Sequence, residues 1–109
     1  MTKILFICGK NRRRSPSAEE IFAGMDGIEV SSAGTSVEAT CQVSADLLEW
    51  ADRVFVMEQA QRRYLNVHFA HSLKDKKTVC LNIPDRYGYM QPELVAVLRA
   101  KVLPLLRRS

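Results

Sequence analysis

Residues 3–16 read Lys3-Ile4-Leu5-Phe6-Ile7-Cys8-Gly9-Lys10-Asn11-Arg12-Arg13-Arg14-Ser15-Pro16. The run Ile4 to Ile7 is short, continuous and apolar, as expected of a strand buried on both faces of a parallel sheet. Cys8 then falls at the carboxyl end of that strand, where open α/β sheets bind ligands. Ser15-Pro16 opens a helix, with serine as N-cap and proline in the first turn. Ser17 to Phe22 continues it, with Ala18, Ile21 and Phe22 on one side. The loop between ends at a helix N-terminus, where unpaired N–H groups and the helix dipole attract anions.

The residue types in this loop suit a thiolate that attacks phosphorus. Cys8 faces cationic surroundings that favour the nucleophilic form. Arg14 carries the planar fork that holds two oxygens of a phosphoryl group. Asn11 tolerates the left-handed backbone that a loop turning its N–H groups inward requires. A strand-end cysteine is also a common small core residue, and an arginine run is often only a solvated face. Cys80 and Arg86 repeat the Cys-x5-Arg spacing. That second stretch lacks the glycine, the following serine and the helix start, and is set aside.

The rest of the chain alternates in βα fashion. Ile28 to Ser32, Val54 to Met57 and Thr78 to Leu81 read as strands. Val43 to Ala51 and Gln59 to Val67 read as helices, the latter basic and on the surface. Gln91-Pro92-Glu93 opens a last helix through Leu98 and Val102, disturbed at Pro104. The pattern predicts a three-layer, doubly wound α/β fold. A four-stranded parallel sheet would carry helices on both faces. The loops after the first and fourth strands would meet at its carboxyl edge, bringing Asp85 near Cys8. Asp85 is then a candidate general acid, or simply the cap of the turn Ile83-Pro84-Asp85-Arg86. Arg86 is placed to pair with Asp85 and weaken it as an acid.

The chain has 109 residues, 47% of them hydrophobic, which fits one domain over residues 1–109 with one core. No apolar run spans a bilayer and no signal-peptide pattern opens the chain, so the expectation is a cytoplasmic protein without membrane contact. The three cysteines show no metal-ligand pattern, and no disulfide is expected in a reducing compartment. His68 and His71 are expected on the surface. Neither a metal nor a cofactor is implied. The net charge is +4, with Lys10, Arg12, Arg13 and Arg14 in one loop. Such a cluster attracts highly anionic ligands. Arg12 and Arg13 would select acidic phosphopeptides or, less favoured, nucleic-acid phosphates.

Several motifs together resemble the low-molecular-weight protein tyrosine phosphatase family. Its loop reads Cys-x-Gly-Asn-x-Cys-Arg-Ser-Pro after an apolar strand, and Cys8, Asn11, Arg14, Ser15 and Pro16 match it. Ser32-Ala33-Gly34-Thr35, Asp52-Arg53-Val54-Phe55-Val56-Met57 and Pro84-Asp85-Arg86-Tyr87 resemble three further family stretches, in the family's order. Lys10, Arg13 and Arg86 depart from it, standing where the family has glycine, a second cysteine and proline. The segment between Gly34 and Asp52 is shorter than in relatives.

The resemblance implies hydrolysis of phosphotyrosine or a similar phosphomonoester through a phosphocysteine, on a phosphorylated protein or a small ester. It implies Cys8 as nucleophile, Arg14 as phosphate clamp and Asp85 as acid. Gly9, Lys10, Asn11, Arg12, Arg13 and Ser15 would form the phosphate cradle. Ser15 would also donate a hydrogen bond to the Cys8 thiolate. Tyr87, with Tyr89, would wall the cleft or merely pack on the surface. Two alternatives remain. One is a phosphate- or nucleic-acid-binding module that keeps the cradle without turnover. The other is arsenate reduction, which needs Cys41 and Cys80 as a disulfide relay.

Overall fold

The computed structural model describes residues 1–106. Its strands are β1 (Thr2–Cys8), β2 (Ile28–Gly34), β3 (Arg53–Val56) and β4 (Lys77–Cys80). Its helices are α1 (Arg14–Phe22), α2 (Ala45–Trp50), α3 (Gln59–His68) and α4 (Pro92–Leu106). All strand pairs are parallel, in the order β2-β1-β3-β4. This is the expected four-stranded doubly wound sheet.

The alternation of β1 explains the three layers. Ile4, Phe6 and Cys8 point to one face and join Ala18 and Phe22 of α1 with Leu94, Leu98 and Val102 of α4. Leu5 and Ile7 point to the other face, toward Leu48 of α2 and Leu65 of α3. Every residue from Ile4 to Ile7 is fully buried, as a central strand covered on both faces must be. Phe6 stacks between Phe22 and Phe55, with centroids 5.8 and 5.4 Å away. A buried aromatic of this kind contributes about 1.5–3 kcal/mol by area alone.

The chain leaves β1 for one neighbour and later returns to pair β3 on β1's other side. The sheet therefore has its switch point between β1 and β3, and a crevice opens there above the carboxyl ends.

Several boundaries differ from the sequence reading, each for a local reason. α2 begins at Ala45, because Ser44 is its N-cap and its Oγ accepts from Leu47 N at 3.2 Å. Val43 lies before the helix and is buried in the core. α1 begins earlier than expected, with Arg13 rather than Ser15 at its N-cap. Pro16 still sits in the first turn, where a missing N–H costs no helical bond. α4 runs past Pro104, which is exposed in the last described turn. Both histidines are exposed. Among the described residues, no helix is long and apolar enough to cross a membrane.

Candidate active site

The loop from Cys8 to Arg14 curls at the end of β1. Asn11 adopts φ 54°, the left-handed conformation its residue type allowed. Its side chain is buried and satisfied on every side. Oδ1 accepts from Cys41 N at 3.1 Å, which fixes Nδ2 as the donor. Nδ2 donates to Ser15 Oγ at 2.9 Å and to Ser32 Oγ at 3.0 Å. Ser32 Oγ in turn donates to Glu19 Oε1 at 2.5 Å. Asn11 thus holds the loop in shape from beneath.

Cys8 Sγ lies 2.9 Å from Ser15 Oγ. The two groups are within hydrogen-bond distance, and either could donate. Asn11 already occupies a lone pair of Ser15, and the competing acceptor, Ala33 O, is farther away at 3.4 Å. Of the two roles expected of Ser15, the hydroxyl lies against the sulfur, and Arg13 takes the N-cap position.

The segment after β2 supports the loop from outside. Thr35 N donates to Cys8 O at 3.0 Å, Ser36 N to Gly9 O at 2.9 Å and Thr40 N to Lys10 O at 3.1 Å. These bonds turn the loop's carbonyls outward. The approach leaves no room at Gly34. A Cβ there would stand 2.7 Å from Ala39 Cβ and 3.0 Å from Asn11 N, and would press on the carbonyl oxygen of Gly9.

Arg14 is nearly inaccessible, with 4% of its side chain exposed. Its Nη1 donates to Glu58 Oε1 at 2.6 Å and to Ile83 O at 2.7 Å. That anchoring leaves the Nε–Nη2 edge, the one that grips two oxygens side by side. Nε lies 3.7 Å from Asp85 Oδ1. One guanidinium thus ties together the loops that follow β1, β3 and β4. The two carboxylates offset the cost of burying its charge.

A cleft of about 460 Å³ opens above these groups. Cys8, Gly9, Lys10, Arg12, Arg13, Arg14 and Asp85 all line it, so seven of the residues singled out in the sequence meet at one place. Asn11 and Ser15 lie beneath the loop and shape it. Tyr87 does not join the lining. It is half-buried against the α1–α4 core, and the Arg86 guanidinium stacks over its ring at 5.5 Å. Arg86 thereby turns to Tyr87, and the carboxylate of Asp85 pairs with Arg14 instead. Asp52 bonds to the backbone of Lys3 through Oδ2 at 2.8 Å, a strand-edge role.

Ser36, Glu58 and Gln61 also line the cleft and were missed in the sequence. Glu58 and Gln61 form a capping box at the start of α3. Gln61 Oε1 accepts from Met57 N and Glu58 N, both at 2.9 Å. Only half of the signal was readable, since Gln61 suits the third helical position while glutamate is not among the favoured N-caps. Its second use, holding Arg14, follows from β3 lying beside β1, which no local pattern reports.

Residues 3–49 match the family model described as low molecular weight phosphotyrosine protein phosphatase. No curated protein sequence matches. Solved structures with the same fold include the YwlE arginine phosphatase from Geobacillus stearothermophilus. It is 23% identical, with 99% of this chain and 94% of that chain covered and a TM-score of 0.78. The low molecular weight protein tyrosine phosphatase SP-PTP from Streptococcus pyogenes is 19% identical, covering 99% and 93% with a TM-score of 0.82. Wzb of Vibrio vulnificus, in complex with benzylphosphonate, is 20% identical, covering 99% of both chains with a TM-score of 0.81.

Proposed function

We propose that this chain is a phosphatase of the low molecular weight phosphotyrosine protein phosphatase type and hydrolyses phosphotyrosine or a similar phosphomonoester through a phosphocysteine. The observation that carries this reading is the convergence on one cleft of Cys8 and Arg14, the two ends of one loop, with Asp85, 71 positions beyond Arg14.

In the first step Cys8 Sγ forms a bond to phosphorus as the ester P–O bond breaks. The electron pair leaves on the ester oxygen, which takes the proton of Asp85. Arg14 and the backbone N–H groups of the loop hold the equatorial oxygens, where negative charge concentrates. In the second step Asp85, now a carboxylate, accepts a proton from water. The hydroxide oxygen bonds to phosphorus, and the P–S bond breaks to return the thiolate. The Ser15 hydroxyl, 2.9 Å from Sγ, stabilises the sulfur each time it carries charge.

A binding module without turnover is the less supported reading. Lys10, Arg12 and Arg13 would draw a nucleic acid, but Glu58 and Asp85 face the same cleft and would repel a polyanion there. A disulfide relay from Cys8 has less support still. Cys41 follows the edge strand β2, and Cys80 ends the opposite edge strand β4.

Aryl phosphate hydrolysis by the purified chain tests the reading. Cys8→Ser should abolish turnover. Asp85→Asn should slow it by about 10²–10⁴-fold, more for poor leaving groups than for good ones. Turnover that survives Cys8→Ser would refute the reading. Turnover indifferent to Asp85→Asn would remove the acid and keep the nucleophile.

A further inference from the structure

The cations around the cleft are not equivalent. Arg14 is bound to Glu58, Ile83 O and Asp85. Lys10 Nζ pairs with Glu38 Oε2 at 3.6 Å, and Arg12 Nη2 donates to Glu38 O at 3.4 Å. Arg13 lines the same cleft, is exposed, and its guanidinium has no partner among the described residues.

The root of the Arg13 side chain is nevertheless fixed. Its carbonyl oxygen accepts from Ser17 N at 3.0 Å and from Ser17 Oγ at 2.5 Å. Ser17 Oγ also accepts from Met90 N at 2.8 Å. The Cα of Arg13 is therefore held at the start of α1, and only its side chain is free to meet a ligand.

The cleft also lacks the wall that an aromatic substrate would use. Among the described residues, none that lines it carries an aromatic ring. Tyr87 is turned to the core and covered by Arg86. A phenyl ring would find no stacking partner, whereas a charged group would find an unpaired guanidinium with five donors.

We infer that Arg13 forms a second anion subsite beside the phosphate cradle. The preferred substrates then carry a further anionic group, a carboxylate or a second phosphate, within one arginine's reach of the scissile phosphoryl group. This inference rests on the phosphatase reading, which supplies the occupant of the cradle. Arg13 is a specificity-determining residue here and takes no part in bond breaking.

Two isosteric pairs test it. The first is 3-carboxyphenyl phosphate against 3-carbamoylphenyl phosphate, compared by kcat/KM. The second is the matching pair of benzylphosphonates, compared by calorimetric Kd, which needs no turnover. The carboxylate member of each pair should be favoured about 5-fold or more at low ionic strength, and less as salt rises. Arg13→Gln should bring both ratios to about 1, while Arg12→Gln and Lys10→Gln leave them above that. Ratios near 1 in the unmodified protein would overturn the inference. So would ratios that persist in Arg13→Gln. If neither ester is hydrolysed, the phosphatase reading fails, and the phosphonate ratio still decides whether Arg13 selects a second anion.

Discussion

Gly34→Ala is the sharpest perturbation of the site, because it adds one methyl group and changes none of the residues assigned to the chemistry. Ordinary carbon contacts lie at about 3.5–4.0 Å. The new Cβ would stand 2.7 Å from Ala39 Cβ and 3.0 Å from Asn11 N, and closer still to Gly9 O. Relief requires roughly 1 Å of movement, by the phosphate loop or by the segment that supports it. Either movement strains the bonds from Thr35 N to Cys8 O and from Ser36 N to Gly9 O, now 3.0 and 2.9 Å. Overpacking of this kind costs about 1–3 kcal/mol. In a domain of this size each kcal/mol lowers Tm by about 4–8 °C. Displacing the loop by 1 Å should also cost about 10²-fold in kcat/KM. Thermal unfolding and aryl phosphate turnover read the two effects. Gly24→Ala is the matched control, since a Cβ there meets nothing within 4 Å. It should leave turnover unchanged and hold or slightly raise Tm. A Gly34→Ala protein with the Tm and turnover of its parent would refute the claim that this close approach shapes the loop.

Two further substitutions separate roles that share one residue. Glu58→Ala removes both the α3 cap and the partner of Arg14, and should cost about 2–4 kcal/mol in urea unfolding. Glu58→Gln keeps the capping acceptor and loses only the charge, so it should cost less while still weakening inhibition by vanadate; a Glu58→Gln protein as stable as its parent would show that the charge on Arg14 needs no partner. Ser17→Ala frees Met90 N and leaves the carbonyl of Arg13 with the Ser17 backbone N–H alone, and should slow hydrolysis of poor leaving groups more than good ones, with Ser17→Thr restoring the difference. A uniform loss across leaving groups would show that Ser17 supports the fold and does not position the acid loop.

The parts of the site that lie close together in sequence were legible there. The run Ile4 to Ile7 announced a central strand because four consecutive apolar residues need cover on both faces. Asn11 announced a left-handed turn because few other residues accept one. Ser15 was expected both to cap the helix and to bond Cys8, because its hydroxyl fits either role locally. Only the neighbouring Cys8 and Asn11 side chains decide which one it takes. Arg86 was expected on Asp85 because they are adjacent in sequence. Consecutive residues of an extended loop point apart, and Arg86 found the ring of Tyr87 while Asp85 found Arg14. Glu58 stayed hidden because its partner lies 44 positions away, a proximity created by strand order alone.

The four residues of β4 form an edge strand, and none of them is fully buried. Edges open at lower free energy than strands covered on both faces. The loop that carries Asp85 hangs from this edge, whereas Cys8, Asn11 and Ser15 belong to the central strand and its buried network. Fraying at β4 would release Ile83 and Asp85 from Arg14 and leave the cradle standing. The molecule would then capture phosphoryl groups more durably than it turns them over. On warming it should lose catalysis first, anion binding next and its core last.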